Sequence, residues 1–505
     1  MRRVLAGPSS EEERVLSGEH QHTDLVPHPT DNDTHPTLLD PGRRTSGGIN
    51  RTQRKEQAMR EKVAAVMPDV IADLERLIRI PSVAFPGFPS EPVHQMAAAT
   101  VDVLRRAGAD NARLLDVPGG YPAVYADVEG PPGTPTVLLY AHYDVQPAPP
   151  EQGWLTDPFT PTTGPDGRIH GRGAADDKSG IAIHAGTLRA FDGRPPVGLR
   201  ILIEGEEETV SHLPAFLEDH PDLVRCDAFV IADMGGPAVG EPALTTALRG
   251  HVQCTITVRT LDDAVHSGLF GGAAPDALLA LIRALGTLHD DHGDVTVPGL
   301  HSAAWTGAGF DEDAFRASAT MRAGTRLIGT GTLADRLWAK PSITVLAIDA
   351  PPLTHAANVL IPRASARIAL RVPPGCDPVE QLDQLMTHLR AGVPWGAEVD
   401  VAPFKIGPPF QVDTGHPAVR AARDALETAY GKPARAVGAG GSIPLVATLN
   451  RLHPDAGVVL WGAEDIAAAR IHAANESVDP AEVQRCVLAQ ALMLETLAEG
   501  AQPPR

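Results

Sequence analysis

A chain of 505 residues is too long for one ordinary core and points to two domains once a polar tail is set aside. Its formal charge of −20, from 43 Lys and Arg against 63 Asp and Glu, excludes nucleic acid and anionic membrane surfaces as partners through plain repulsion. Cys226, Cys254, Cys376 and Cys486 lack the spacing of a disulfide framework or thiolate zinc site, no run approaches a membrane span, and no apolar signal core follows Arg3, so a soluble cytoplasmic enzyme is expected.

The stretch 1–58 is polar and almost without apolar periodicity, so it cannot bury enough surface to offset the entropy of ordering, and disorder is expected there. Met59 precedes an amphipathic pattern carrying Val63, Val66, Val70, Ile71, Leu74 and Leu77, which makes it a candidate natural start. Strand-like and helix-like runs then alternate: a helix over 96–107, strands over 123–128 and 137–140, a helix over 181–191, strands over 199–204 and 227–231. Such alternation implies an α/β fold, with a mostly parallel central sheet flanked by helices. The pattern changes over 248–403, where strands at 248–258, 342–348 and 364–372 and helices at 276–288 and 379–390 read as an inserted α+β domain. Helices at 417–430 and 480–498 and a strand at 457–461 resume the first type, so 59–247 and 404–505 form one domain.

His142 and Asp144 follow the apolar run 137–140, at the kind of strand end where open α/β sheets place their sites. Two residues apart in extended chain, they point to the same side, so Asp144 can orient the imidazole of a metal-bound His142. Downstream, a glycine-rich turn leads into Asp176-Asp177, the strand at 199–203 runs into Glu204-Gly205-Glu206-Glu207-Glu208, another strand ends just before Asp233, and 471–476 supplies a second histidine, His472. Singly, these pieces read as a solvated loop pair, a helix N-cap and an exposed acidic turn. Their conjunction is different, because two histidines with three carboxylates suit a pair of zinc-like ions, and concentrated negative charge calls for cations.

The motifs Ala141-His142-Tyr143-Asp144-Val145-Gln146-Pro147, 171–178, 204–208, Ile231-Ala232-Asp233, 265–272, Gly440-Gly441-Ser442-Ile443-Pro444 and 471–476, in that order, resemble the di-zinc metallopeptidases and amidohydrolases. That family includes carnosinase-type dipeptidases, carboxypeptidase G, aminoacylase-1 and succinyl-diaminopimelate desuccinylase. The likeness spans roughly 59–499, and the tryptophan-bearing stretch 147–159 together with an aspartate at 233 is most similar to the dipeptidase branch. The resemblance implies that His142 and Asp233 hold one metal, that Glu208 and His472 hold the other, and that Asp176 bridges them while Asp144 orients His142. It also implies that Glu207 is the general base for a metal-bridging water and returns the proton to the leaving amine. Glu206 is the alternative base, since the third acid leaves the register open, although alignment on Glu204-Gly205 and Ser211 favours Glu207.

By the same resemblance the chain takes two divalent ions, zinc or else manganese or cobalt, and a small peptide substrate. Asn358, Arg371, Gly441 and Ser442 would contact that substrate, with Arg371 on its terminal carboxylate. The inserted segment would be a lid and dimerisation domain, and His266 would act across the interface of a homodimer. Two departures from the family pattern are Val210, where a glycine is usual, and Ser179 before Gly180. The implied activity is hydrolysis of dipeptides or short peptides. Two alternatives stand beside it: a deacylase or carbamoyl hydrolase acting on N-acyl amino acids, which would place an amide at the same metals, and a non-catalytic scaffold, against which the complete ligand set argues.

Overall fold

The computed structural model describes residues 51–441 and 443–500; residues 1–50 of the stretch expected to be disordered, and the candidate substrate contact Ser442, lie outside them. Helix Arg51–Ile78 begins eight residues before Met59, so 51–58 are helical where disorder is expected from the sequence. No apolar stripe marks that segment, but Gln, Arg, Lys and Glu are good helix formers, and Arg60 pairs with Glu56 one turn back at 2.9 Å.

Six strands form the central sheet, in the spatial order Arg113–Leu115, Ala123–Val128, Gly198–Glu204, Thr136–His142, Ala228–Ile231 and Gly457–Leu460. The last three junctions are parallel and the first two antiparallel. Strands buried on both faces must be apolar throughout, and Val137, Leu138, Leu139 and Tyr140 are fully buried, with helix Lys178–Ala190 on the strand and helices Arg51–Ile78 and Pro480–Gly500 packed against that helix. The carboxyl ends of Thr136–His142, Gly198–Glu204 and Ala228–Ile231 thus come out side by side, which brings His142, the acidic run 204–208 and Asp233 to one edge.

A second, antiparallel sheet has the order Ser342–Asp349, Arg363–Val372, Gly250–Arg259 and Glu398–Gly407. Helices Ala277–Leu285 and Pro378–Gly392 cover one of its faces and close a separate core around Val252, Ile256, Ile368, Leu370, Leu385 and Leu389. Asp276 and Asp377 cap those helices by accepting the amides of Leu279 and Val379 at 2.9 and 2.8 Å. The sheet continues to Gly407, past residue 403, where the sequence pattern returns to the first type. The run expected as a strand over 248–258 is Gly250–Arg259, and its first residue, Leu248, ends a separate strand. Ala243–Leu248 joins a small sheet with Arg435–Ala439, Gly250–Arg259 joins the antiparallel sheet, and the buried Arg249 between them donates to the Ser342 hydroxyl at 3.1 Å.

Candidate metal centre

His142 is fully buried at its strand end, and its Nε2 lies 2.9 Å from Asp176 Oδ1 and 3.6 Å from Asp233 Oδ1. On the far side of Asp176, the other carboxylate oxygen lies 3.0 Å from His472 Nε2, which is itself 3.3 Å from Glu208 Oε2. Asp176 therefore stands between two histidine–carboxylate groups and shows one oxygen to each. The five residues read as ligands come together in one place, although they are drawn from positions spread between 142 and 472.

The supports are built into the same turns. His142 Nδ1 lies 3.0 Å from the carbonyl of Asp144, a contact that leaves Nε2 as the lone-pair nitrogen of the neutral ring. The Asp144 carboxylate is farther from that ring, at 3.5 Å, and instead accepts the amides of Glu207 and Glu208 at 3.0 and 3.1 Å. Asp144 thus shapes the acidic turn as well as holding the histidine. Asp177 accepts the His142 amide at 3.1 Å and caps helix Lys178–Ala190 through the Gly180 amide at 3.1 Å. Glu476, fully buried, accepts Arg172 at 2.7 Å and the amides of Gly173, Ala175 and Asp176 at 3.0–3.1 Å, which fixes the turn that presents Asp176. Arg172 also lies over the Trp154 ring at 5.3 Å. His472 has a positive φ of 60°, a sparsely populated conformation for a non-glycine residue at the point where its ring must turn back to Asp176.

The electrostatics of this cluster call for cations. Burial would raise the Asp176 carboxyl, yet hydrogen bonds from His142 and His472 hold it below the usual carboxylate range. Asp233 is pushed up to about 6 by burial, against the pull of His142, and Glu207 is raised by burial and then by Asp233. His472 is raised to about 10 by its bonds to Asp176 and Glu208. Donor chemistry fits the demand. One atom each from Asp176, Glu208 and His472 lie within 4.8 Å of one another, as do one each from His142, Asp177 and Asp233. Imidazole nitrogen with carboxylate oxygen suits zinc, manganese or cobalt. Glu464, not singled out from the sequence, forms a third such group with Asp176 and Asp233.

A cavity of about 490 Å³ opens over the cluster, lined by Asp176, Glu207, Glu208, Asp233, Glu464 and His472 on one side. Glu206 does not line this cavity, and its carboxylate lies 2.9 Å from His212 Nδ1. From the antiparallel sheet come His251, Arg371 and Lys405, and from the turn after Arg435–Ala439 come Gly440 and Gly441. Among the substrate contacts expected from the sequence, Arg371 and Gly441 thus face the metal ligands. His266 and Asn358 are exposed and lie side by side, where the Ser267 amide bonds the Asn358 carbonyl at 2.9 Å, but they do not line this cavity. His251 and Lys405 escaped notice because alternate positions on an amphipathic strand look like ordinary surface.

Residues 138–496 match the model of peptidase family M20/M25/M40, and the chain belongs to that family. It is 41% identical over 405 residues to a cysteinylglycine-S-conjugate dipeptidase of Corynebacterium striatum, covering 78% of this chain and 86% of that protein. It is 31% identical over 328 residues to a Beta-Ala-His dipeptidase of Rattus norvegicus, covering 60% and 66%. Among solved structures, the dipeptidase Dug1p of Saccharomyces cerevisiae superposes with a TM-score of 0.75 over 88% of this chain and 98% of the other; at 23% identity this is a likeness of fold.

Proposed function

We propose that this chain is a metal-dependent dipeptidase, and the observation that carries the reading is Asp176 shared between two histidine–carboxylate groups, with Glu207 free beside them and Arg371 opposite. His142 and Asp233 would hold one divalent ion, Glu208 and His472 the other, with Asp176 between. Zinc, or manganese or cobalt in its place, would supply the polarisation of the scissile carbonyl and the acidity of the attacking water. Glu207, which lines the cavity, receives the proton of that water and delivers it to the leaving amine. Burial, and then Asp233, raise its carboxyl above the usual carboxylate range. Arg371 and Gly441 hold the far end of the peptide. The dipeptidases to which the chain is similar support the same substrate class.

The protein works as a homodimer in this reading. The edge strand Ser342–Asp349 leaves Val345, Leu346 and Ile348 exposed, and helix Ala277–Leu285, packed on the neighbouring strand Arg363–Val372, exposes Leu279 and Ile282, apolar surface suited to a second copy. His266 and Asn358, off the cavity of their own chain, would serve that of the other copy. A cytoplasmic location accords with four free thiols.

The test is hydrolysis of a mixed library of dipeptides and N-acyl amino acids by the metal-loaded protein, followed by mass spectrometry with a chelated control. Chelator-sensitive loss of dipeptides is expected. Loss of N-acyl amino acids alone would move the chain to the deacylase branch, and no turnover of either would sink the catalytic reading.

A further inference from the structure

The outer face of the antiparallel sheet gathers three basic side chains. His251 and Arg371 are direct partners across Gly250–Arg259 and Arg363–Val372, while Lys405 pairs with Gln253 on the other flank. Residues two apart on a strand share a face, so all three stand opposite the core residues Val252 and Leu370, and all three line the cavity over the metal ligands. His251 is held neutral, lowered to about 4 by burial and then by Arg371 and Lys405, which places both cations within its field. Among the described residues neither Arg371 nor Lys405 has an ion-pair partner or a side-chain hydrogen bond, and burial is what perturbs Arg371. Half-buried Arg371 and exposed Lys405 flank a neutral imidazole, and among the described residues neither meets an acid, so together they turn an unmatched positive field on the cavity that an anion from outside can answer.

We propose that Lys405 is a specificity-determining residue, gripping together with Arg371 the free carboxylate that ends the substrate, with His251 between them as a neutral hydrogen-bond partner. The proposal rests on the functional reading only in needing an amide at the acidic cluster and a carboxylate one residue beyond it, a layout that dipeptides and N-acyl amino acids share. Each cation has its own part. The arginine fork fixes the orientation of the carboxylate, while the lysine, a point charge on a flexible stem, follows it as the C-terminal residue varies in size. An acidic wall faces this site across the cavity, so an amide end, which can meet neither cation as a charged partner, is held poorly in the same place.

Kinetics on Ala-Ala and its C-terminal amide, or on N-acetylalanine and its amide if only acylated substrates turn over, test the proposal with the metal-loaded full chain. Wild type is expected to favour the acid. Lys405→Ala should raise KM for the acid about tenfold, leave kcat within about threefold and leave the amide unchanged; Lys405→Arg should recover most of the loss. A KM that does not move, or a loss equal on acid and amide, overturns the proposal and reduces Lys405 to a bystander or a structural residue. Wild type that turns over neither Ala-Ala nor N-acetylalanine brings down the functional reading and this proposal together, whereas turnover indifferent to Lys405 removes this proposal alone.

Discussion

The two walls of the cavity are made in opposite ways. Behind the acidic wall the supporting carboxylates are tied to the chain: Asp144 holds two amides of the 204–208 turn, Asp177 holds the His142 amide and a helix start, and Glu476 holds Arg172 and three amides. On the basic wall His251, Arg371 and Lys405 project from alternate positions of one sheet face, and among the described residues the two cations have no acid to meet. The first is preorganised for cations that stay, and its ligands must hold their geometry in the absence of substrate. The second is built for an anion that arrives with each substrate and leaves with each product.

The difference is broken most severely at Glu207, the acidic-wall residue with work to do during the reaction. Glu207→Gln is expected to lower kcat by about 10²–10⁴ while metal content, read by plasma mass spectrometry, stays at the wild-type value. Glu206→Gln, one residue away but bonded to His212, should keep activity within about threefold of wild type. Mixing Glu207→Gln with an inactive His266→Ala sharpens the point, because a mixed dimer contains one cavity with both groups intact. Recovered activity on mixing is the expected result, and none at all would confine His266 to its own chain.

Next in size is the contrast in stability. Glu476→Gln leaves the buried Arg172 uncompensated and should cost about 3–5 kcal/mol in urea unfolding. Arg371→Leu breaks no ion pair within the chain and should change stability by less than about 1 kcal/mol while raising KM sharply. Equal costs at the two positions would erase the distinction between a wall fixed by the chain and one left for the substrate.

The same contrast decides what could be read from the sequence. Strands buried on both faces announce themselves as short apolar runs, so 137–140, 199–204 and 227–231 were legible, and with them the ligands at their ends. His142, Asp176, Glu208 and Asp233 converge because each follows an apolar strand or a glycine turn, and His472 joins them from a turn late in the chain. Glu464 obeys the same rule, three residues beyond the buried Trp461, and could have been found by it. Lys405 and His251 could not, since a cation on the outer face of a strand carries no local mark of what the fold sets opposite. Arg249 marks a related limit: the strand Ala243–Leu248 before it is not read from the sequence, and the chain changes sheets at this buried residue, whose guanidinium reaches Ser342. At the N-terminal end, charged helix formers paired one turn apart extend Arg51–Ile78 without any apolar stripe to betray it.

The smallest expected effect lies behind the acidic wall. His184 is fully buried, with Nε2 2.9 Å from the Tyr140 carbonyl and Nδ1 3.2 Å from Gln490 Oε1, and burial lowers it to about 4 despite those bonds. Its ordinary value is near 6.5. Above that pH the ring is neutral in both folded and unfolded chain and has no pH effect. Between 6.5 and about 4 the unfolded chain binds the proton first, so stability is lost as pH falls, by no more than about 3 kcal/mol in total. Glu204 works in the other direction nearby, since burial raises it to about 7 and protonation then favours the folded chain. The difference between wild type and His184→Gln cancels that opposing contribution. Measured by urea unfolding at several pH values, the wild type should lose stability relative to the variant only between pH 6.5 and 4, and a difference independent of pH over that range would show that His184 is not held neutral.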